Sequence, residues 1–499
     1  MPHLLHQLFC LSLRLFACCC VRYLNALTGD QGNSYTRPSV YGTDPTPSPT
    51  DLSPNLSQTI PLPTPEMITH GPAANIFSRT AFFYQQPFTP KHTLQLIVKQ
   101  LLLYLNFISR DYDVVKETLE LFEALSLNYS TSSHIASLSE VKQFLTNTPA
   151  GTDLTAIDSN SKPMSTGNSG AFVMTDMSFL HSTSHPKLQT TFFQIVSRLV
   201  FKGANIDYFP QFIQPFTVQL QQLSSIPNLR NAPPNVLAQV GLLIHKLHGV
   251  VSSINSMVVY GMFFEWFFET NKFASLVVRM VETFWDRPEI LYPILNFYGE
   301  LIWNKSQRIR FDSNSANGII LFKETYKIVS TYISRMIMTP VVQEGERTGS
   351  SATAIGNELY ERRLKGISKV LMLVSNLFSG GYVNAGIMQY YQDPTLKQCI
   401  QQTLQYAMSV RFAHIINYPK VANFFFHFTE ILFRHHCDLI VEICDTPKFL
   451  ALISSLHEGL LSVQHQQVME AASAIDHLME WQFKQQKKQP GQEGNSITG

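Results

Sequence analysis

The sequence predicts an all-α protein, an α-solenoid of HEAT or armadillo type built from antiparallel helix pairs. Three observations point there. Apolar residues recur at spacings of three and four from Pro90 onward, prolines and glycines interrupt them at intervals, and no run alternates in the manner of a strand. Helix pairs recurring about every 40 to 50 residues mark such arrays, because one pair cannot bury its own apolar stripe and neighbours must stack.

The elements follow in order. Residues 1–27 are apolar from Leu4 to Leu24, but Arg14 interrupts the run, no Lys or Arg precedes it, and no small-residue cleavage site follows. They are taken as a start outside the fold, not as a secretion signal or anchor. Eleven of the 27 prolines lie between Pro38 and Pro90, and the first lysine is Lys91, so residues 28–89 are expected to form a disordered linker. The helical-repeat domain is expected over 90–486, with a disordered tail over 487–499.

Within that domain Leu94, Ile97, Val98, Leu101, Leu102, Leu105 and Ile108 form one stripe, and Val115, Leu119, Phe122 and Leu125 repeat it. Further helices are expected near 186–202, 207–224, 234–255, 257–270, 273–285, 288–304, 317–338, 358–379, 393–411, 418–434, 447–463 and 465–484. Pro288 and Pro419 suit the first turn of a helix, where a missing N–H costs nothing. Leu364, Ile367, Leu371, Val374 and Phe378 step three and four, as do Phe322, Tyr326, Val329, Ile333 and Met336. Two polar insertions, 149–186 and 339–357, are expected to be loops on one rim.

Composition narrows the function. Among 499 residues, 37 Lys+Arg stand against 36 Asp+Glu, a net charge of +1, which excludes the electrostatic footprint of a general nucleic-acid binder. Cys18, Cys19 and Cys20 are adjacent and the next cysteine is Cys399, which is no disulfide framework and suits a reducing cytoplasm or nucleus. No motif carries catalysis, and neither a cofactor nor a metal is expected. Gly345-Glu-Arg-Thr-Gly349 lacks the length and the lysine of a phosphate loop, and Gly167-Asn-Ser169-Gly170 is no nucleophile elbow. His435, His436, Cys437 and Cys444 have the wrong spacing for zinc, and His245 with His248 lacks a third ligand nearby. The aromatic run Met262–Phe268 is punctuated by Glu265 and fits a helix packed on both sides better than lipid contact, so no membrane is expected.

One segment invites a functional reading. Asn304–Asp312 follows an apolar helix and places Lys305, Arg308 and Arg310 close together. Either it is a solvated turn with Asp312 near the next helix start, or its cations meet an acidic surface on a protein partner.

The stretches Asn304-Lys-Ser-Gln-Arg-Ile-Arg-Phe-Asp312 and Asn317-Gly-Ile-Ile-Leu-Phe-Lys-Glu-Thr325 resemble the exportin-7 (Ran-binding protein 16/17) family of importin-β-like nuclear transport receptors. Phe264-Glu-Trp266, Arg363-Leu-Lys-Gly-Ile367, Ser379-Gly-Gly-Tyr-Val-Asn384, Tyr418-Pro-Lys420, Ile453-Ser-Ser-Leu-His-Glu-Gly-Leu460 and Asp476-His477 agree and arrive in the family's order. The resemblance covers roughly Pro90 to Gln486 and matches the second half of the family chain; residues 1–89 show none. It implies a receptor that shuttles between cytoplasm and nucleus, with protein cargo, Ran GTPase and nuclear pore proteins as partners. The family's main site for GTP-bound Ran lies in its N-terminal repeats, so poor Ran binding is expected of this chain. A helical-repeat scaffold without transport activity is the alternative.

Overall fold

The computed structural model describes residues 90–107, 111–127, 129–147, 177–312, 315–339 and 350–488. The expectations for residues 1–89, for the motifs around Gly167 and Gly345, and for the chain beyond 488 lie outside the described residues. Among the described residues all regular structure is helical and no strand occurs. The chain divides into two compact units, one holding the described residues up to Phe212 and the other those from Ile213.

In the first unit α1 (Pro90–Phe107) packs on α2 (Tyr112–Leu127), and α2 packs on α5 (Pro186–Val200). The short helices α3 (Tyr129–Ser137) and α4 (Ser139–Asn147) complete it. The stripe from Leu94 to Leu105 is buried, as are Val115, Leu119, Phe122 and Leu125. Each such side chain contributes roughly 1.5–3 kcal/mol relative to exposure, which is why periodicity so short-ranged specifies packing. Arg198 of α5 is buried and donates to Ser126 Oγ at 2.6 Å, tying α5 to the end of α2.

Helix α6 (Phe209–Ser225) straddles the division. The second unit then runs as two layers. The first layer is α7 (Pro234–Ser253), α10 (Pro288–Ile302), α12 (Ser350–Ser379), α16 (Pro419–His435) and α19 (His465–Lys488), each packed on the next. The second is α9 (Phe273–Phe284), α11 (Asn317–Met338), α14 (Thr395–Ala407) and α17 (Cys437–Ile443), stacked the same way. Cross-layer pairs such as α9 with α10 and α18 (Thr446–Leu460) with α19 close the repeats. This is the expected α-solenoid: each stripe is covered by the next pair instead of by its own.

Local chemistry sets the boundaries. Pro288 and Pro419 occupy the first turns of α10 and α16. Asp445 caps α18 by accepting from the Lys448 N–H at 2.9 Å, and Asn384 caps α13 (Ala385–Tyr390) by accepting from the Ile387 N–H at 3.1 Å. Three differences from the sequence expectation stand out. Residues 350–357, expected in a loop, belong to α12. The stretch 257–270 is not one α-helix: α8 (Met257–Phe264) passes into a π-turn over Glu265–Thr270. Phe263, Phe264, Trp266, Phe267 and Phe268 are all buried there, more than one face of a regular helix can cover. The short helices α13, α15 (Phe412–Ile416) and α17 carried too little periodicity to be seen.

Helix α7 is long and apolar enough to cross a membrane by length and composition, and more than half of that window is buried within the fold. A core helix of a packed protein has the same properties.

Candidate partner-binding surface

The segment after α10 does something the sequence did not show. A helix leaves its last four carbonyls without helical partners. In α10 those are Gly299, Glu300, Leu301 and Ile302, and side chains from elsewhere serve every one. Asn376 Nδ2 donates to Gly299 O at 3.1 Å, and the Arg308 guanidinium donates to Glu300 O. The hydroxyls of Tyr260 and Tyr382 donate to Leu301 O at 3.0 Å and Ile302 O at 2.9 Å.

Arg308 also reaches the end of α7. Its Nη1 donates to Val251 O at 2.8 Å and Ile254 O at 2.6 Å, and its Nε to Trp303 O at 3.1 Å. Beside it Lys305 Nζ donates to Ser252 O at 2.7 Å and pairs with the Glu300 carboxylate at 2.5 Å. Two helix C-termini, each carrying partial negative charge, are thereby held against two fixed cations. Burial alone would raise the Glu300 pKa, but Lys305 and Arg308 outweigh it and hold the carboxyl below its ordinary value.

This overturns part of the partner reading. Arg308 is 0% exposed and its donors are committed to carbonyls, so it does not present charge to a partner. Lys305 keeps 18% of its side chain in solvent and is engaged with Ser252 and Glu300. Arg310 is exposed, as is Asp312. The sequence places the three cations together; the fold turns Arg308 and Lys305 inward and Arg310 outward. No local signal distinguishes them, because the carbonyls they bind lie more than fifty residues away in sequence for Val251, Ser252 and Ile254.

Other arginines repeat the device. Arg279 donates to Leu223 O and Ser224 O at the end of α6, at 3.1 and 3.2 Å. Arg363 donates to Met336 O and, at 2.7 Å, to Thr339 O at the end of α11. Arg362 donates to Asp286 O, just past α9. Several of the cations counted in the sequence therefore work inside the fold.

Polar rungs also cross the seams of the first layer. Lys369 Nζ donates to Asn296 Oδ1 at 2.6 Å, and the exposed Lys365 sits 4.5 Å over the Tyr292 ring. Between α16 and α19, Gln467 donates to Asn423 at 2.7 Å, Ser473 donates to Glu430 at 3.1 Å, and His427 approaches Glu470 at 3.2 Å. His245 and His248 are half-buried on α7. His436, at the end of α16, packs 5.0 Å from the Phe378 ring, and burial with the neighbouring His435 pushes its pKa down to about 4. Cys437 donates its thiol to Phe433 O at 2.8 Å. Among the described residues no group of three His, Cys, Asp or Glu is arranged to hold a metal.

No family model matches the chain. Curated proteins do. Exportin-7-B of Xenopus laevis is 27% identical over 396 residues, covering 79% of this chain and 33% of its own length. Ran-binding protein 17 of Homo sapiens is 26% identical over 395 residues, with the same coverage of both chains. Exportin-7 of Dictyostelium discoideum is 27% identical over 315 residues, covering 63% of this chain and 30% of its own. The chain is thus similar over 79% of its length to proteins of the exportin-7 and Ran-binding protein 16/17 family. It spans about a third of the length of the curated relatives it matches.

Four of the stretches that carried the exportin-7 resemblance, Phe264–Trp266, Asn304–Asp312, Asn317–Thr325 and Ser379–Asn384, prove to be neighbours in space. Phe264 packs 5.0 Å from Phe311, and Phe311 lies 6.5 Å from Tyr382. Asn304 donates to Gly380 O at 2.7 Å, while its own oxygen accepts from the Ile309 N–H at 2.7 Å. Gly318 lies so close to the Tyr382 carbonyl that a Cβ there would collide with it. These four stretches form the joint that locks α7, α8, α10, α11 and α12 together.

Proposed function

We propose that this chain is a nuclear transport receptor of the exportin-7 kind, or a portion of one, that binds folded protein cargo through the second unit. The observation carrying this is the similarity over 79% of the chain to exportin-7 and Ran-binding proteins. The architecture supports it: stacked helix pairs present a long surface, and small rotations between repeats add up to opening and closing. The first-layer face supplies the mixed, half-exposed polar side chains that a folded protein surface can meet, with Lys365, His245 and His248 among them. Arg310 remains the exposed cation of the Asn304–Asp312 segment and is assigned to the cargo side, where an acidic patch would face it. Nuclear pore proteins and shuttling between cytoplasm and nucleus belong to the same reading. No enzymatic activity is part of it.

Ran dependence rests on the relatives' names. A stable protein interface commonly exceeds about 1,000 Å², and its affinity comes from a few central contacts, not in proportion to area. The region matched is about a third of the relatives' own length, and the chain as given is expected to capture Ran weakly at most. Immobilised Ran loaded with GTP or GDP tests this with the full chain as prey. Capture that is weak and nearly equal for both forms is the expected result; tight, GTP-dependent capture would assign the complete Ran cycle to this chain.

A further inference from the structure

Asn317-Gly318 is the one Asn-Gly pair in the sequence, and it opens α11. Such a pair is chemically reactive. The nitrogen of the following residue can attack the asparagine side-chain carbon, and glycine, with no Cβ, leaves that approach unhindered. A helical backbone holds the two atoms apart, but three features weaken its hold here. The pair lies in the first turn, where N–H groups have no helical acceptor. Helix ends open more readily than helix interiors. Ala316 stands at the N-cap position and supplies no side-chain cap.

Two contacts keep the pair in place. Asn317 Nδ2 donates to Glu269 Oε1 at 3.0 Å, in the π-turn after α8. Gly318 is buried against the Tyr382 carbonyl, while Asn317 itself is half-exposed and within reach of water. We propose that Asn317 is a self-modification site: it deamidates when the joint between α8, α11 and the turn at Tyr382 opens, and the product keeps that joint from closing fully. The Gly318 nitrogen gives up its proton to solvent hydroxide and bonds to Asn317 Cγ. The side-chain nitrogen takes a proton from water and leaves as ammonia, and a cyclic succinimide remains. Water then opens the ring at either carbonyl. Opening at Cγ leaves aspartate, whose carboxylate faces that of Glu269 where an N–H donor had been. Opening at the main-chain carbonyl leaves isoaspartate, which routes the backbone through the side chain and inserts a methylene beside Gly318. The contact with Tyr382 has no room for displaced backbone.

The test holds the folded full chain at mildly alkaline pH and samples it over time. Each sample is digested for mass spectrometry, assayed for isoaspartate by enzymatic methylation, and unfolded in urea. The expected result is replacement of NH by O at Asn317, as two products, with an unfolding midpoint that falls in step with the converted fraction. Glu269→Ala, which releases the side-chain amide, should convert several-fold faster. Asn317→Gln, whose longer side chain closes a larger ring far more slowly, should hold its midpoint over the same period. Asn317 that stays intact in the folded chain while the same chain in urea converts overturns the proposal. So does a converted chain that keeps the midpoint of the fresh one, or a Glu269→Ala rate equal to that of the wild type.

Discussion

Arg308 shows how far residue type is from residue role. Three cations in a polar stretch look alike in sequence, yet Arg308 is fully buried on carbonyls of two helices while Arg310 stands in solvent. Arg308→Met leaves Glu300 with less compensation and several helix-end carbonyls unserved, so it should destabilise the second unit by about 3–5 kcal/mol. Arg310→Glu should change stability by no more than about 0.5 kcal/mol. Urea unfolding followed by circular dichroism measures both, and equal small effects would mean that the buried network is not the support described above. His436 gives the pH dependence. Its folded pKa is held down at about 4, against about 6.5 when unfolded, so the unfolded chain binds the proton first. The stability this histidine contributes is whole above about pH 6.5 and is lost as pH falls towards 4, to a total of about 3 kcal/mol. Replacing it, as His436→Gln, should flatten the fall in unfolding midpoint over that interval; an unchanged slope would place the acid sensitivity elsewhere.

At the scale of elements, helices with clean three-and-four spacing were legible because the same apolar stripe that forms them is what the neighbouring repeat buries. Leu364, Ile367, Leu371 and Val374 are buried, as their spacing demands. What was illegible depends on partners distant in sequence. The π-turn after Phe264 exists because aromatic residues on successive positions pack on several helices at once, with Trp266 Nε1 donating to Thr217 Oγ1 at 2.9 Å. Periodicity read along one segment cannot register that. The joint at Asn304–Asp312 is of the same kind: its sequence is polar, but its carbonyl acceptors come from α7 and α10. Gly318 tests the joint from the other side. Gly318→Ala would drive a methyl into the Tyr382 carbonyl and should destabilise by about 1–3 kcal/mol, read as a lower urea midpoint. A neutral result would show that α11 and the turn at Tyr382 can part without cost.

For the whole molecule, the exportin-7 likeness separates into two contributions. The motifs gathered at the Asn304–Asp312 joint maintain the stacking of repeats, so they report architecture. Cargo contacts would lie on side chains such as Lys365 and Arg310 that project from that frame, and no motif fixes those from one sequence. A helical array can therefore keep the signature whether or not it carries cargo. The measurement that tests the transport reading most directly is entry of the fluorescently labelled full chain into nuclei of permeabilised cells. Transport receptors cross the pore by engaging its disordered proteins, whereas an inert 56.6 kDa protein enters slowly. The account predicts rapid accumulation at the nuclear rim and within the nucleus, competed by excess unlabelled chain. Exclusion comparable to that of an inert protein of the same mass would contradict it and leave the scaffold alternative.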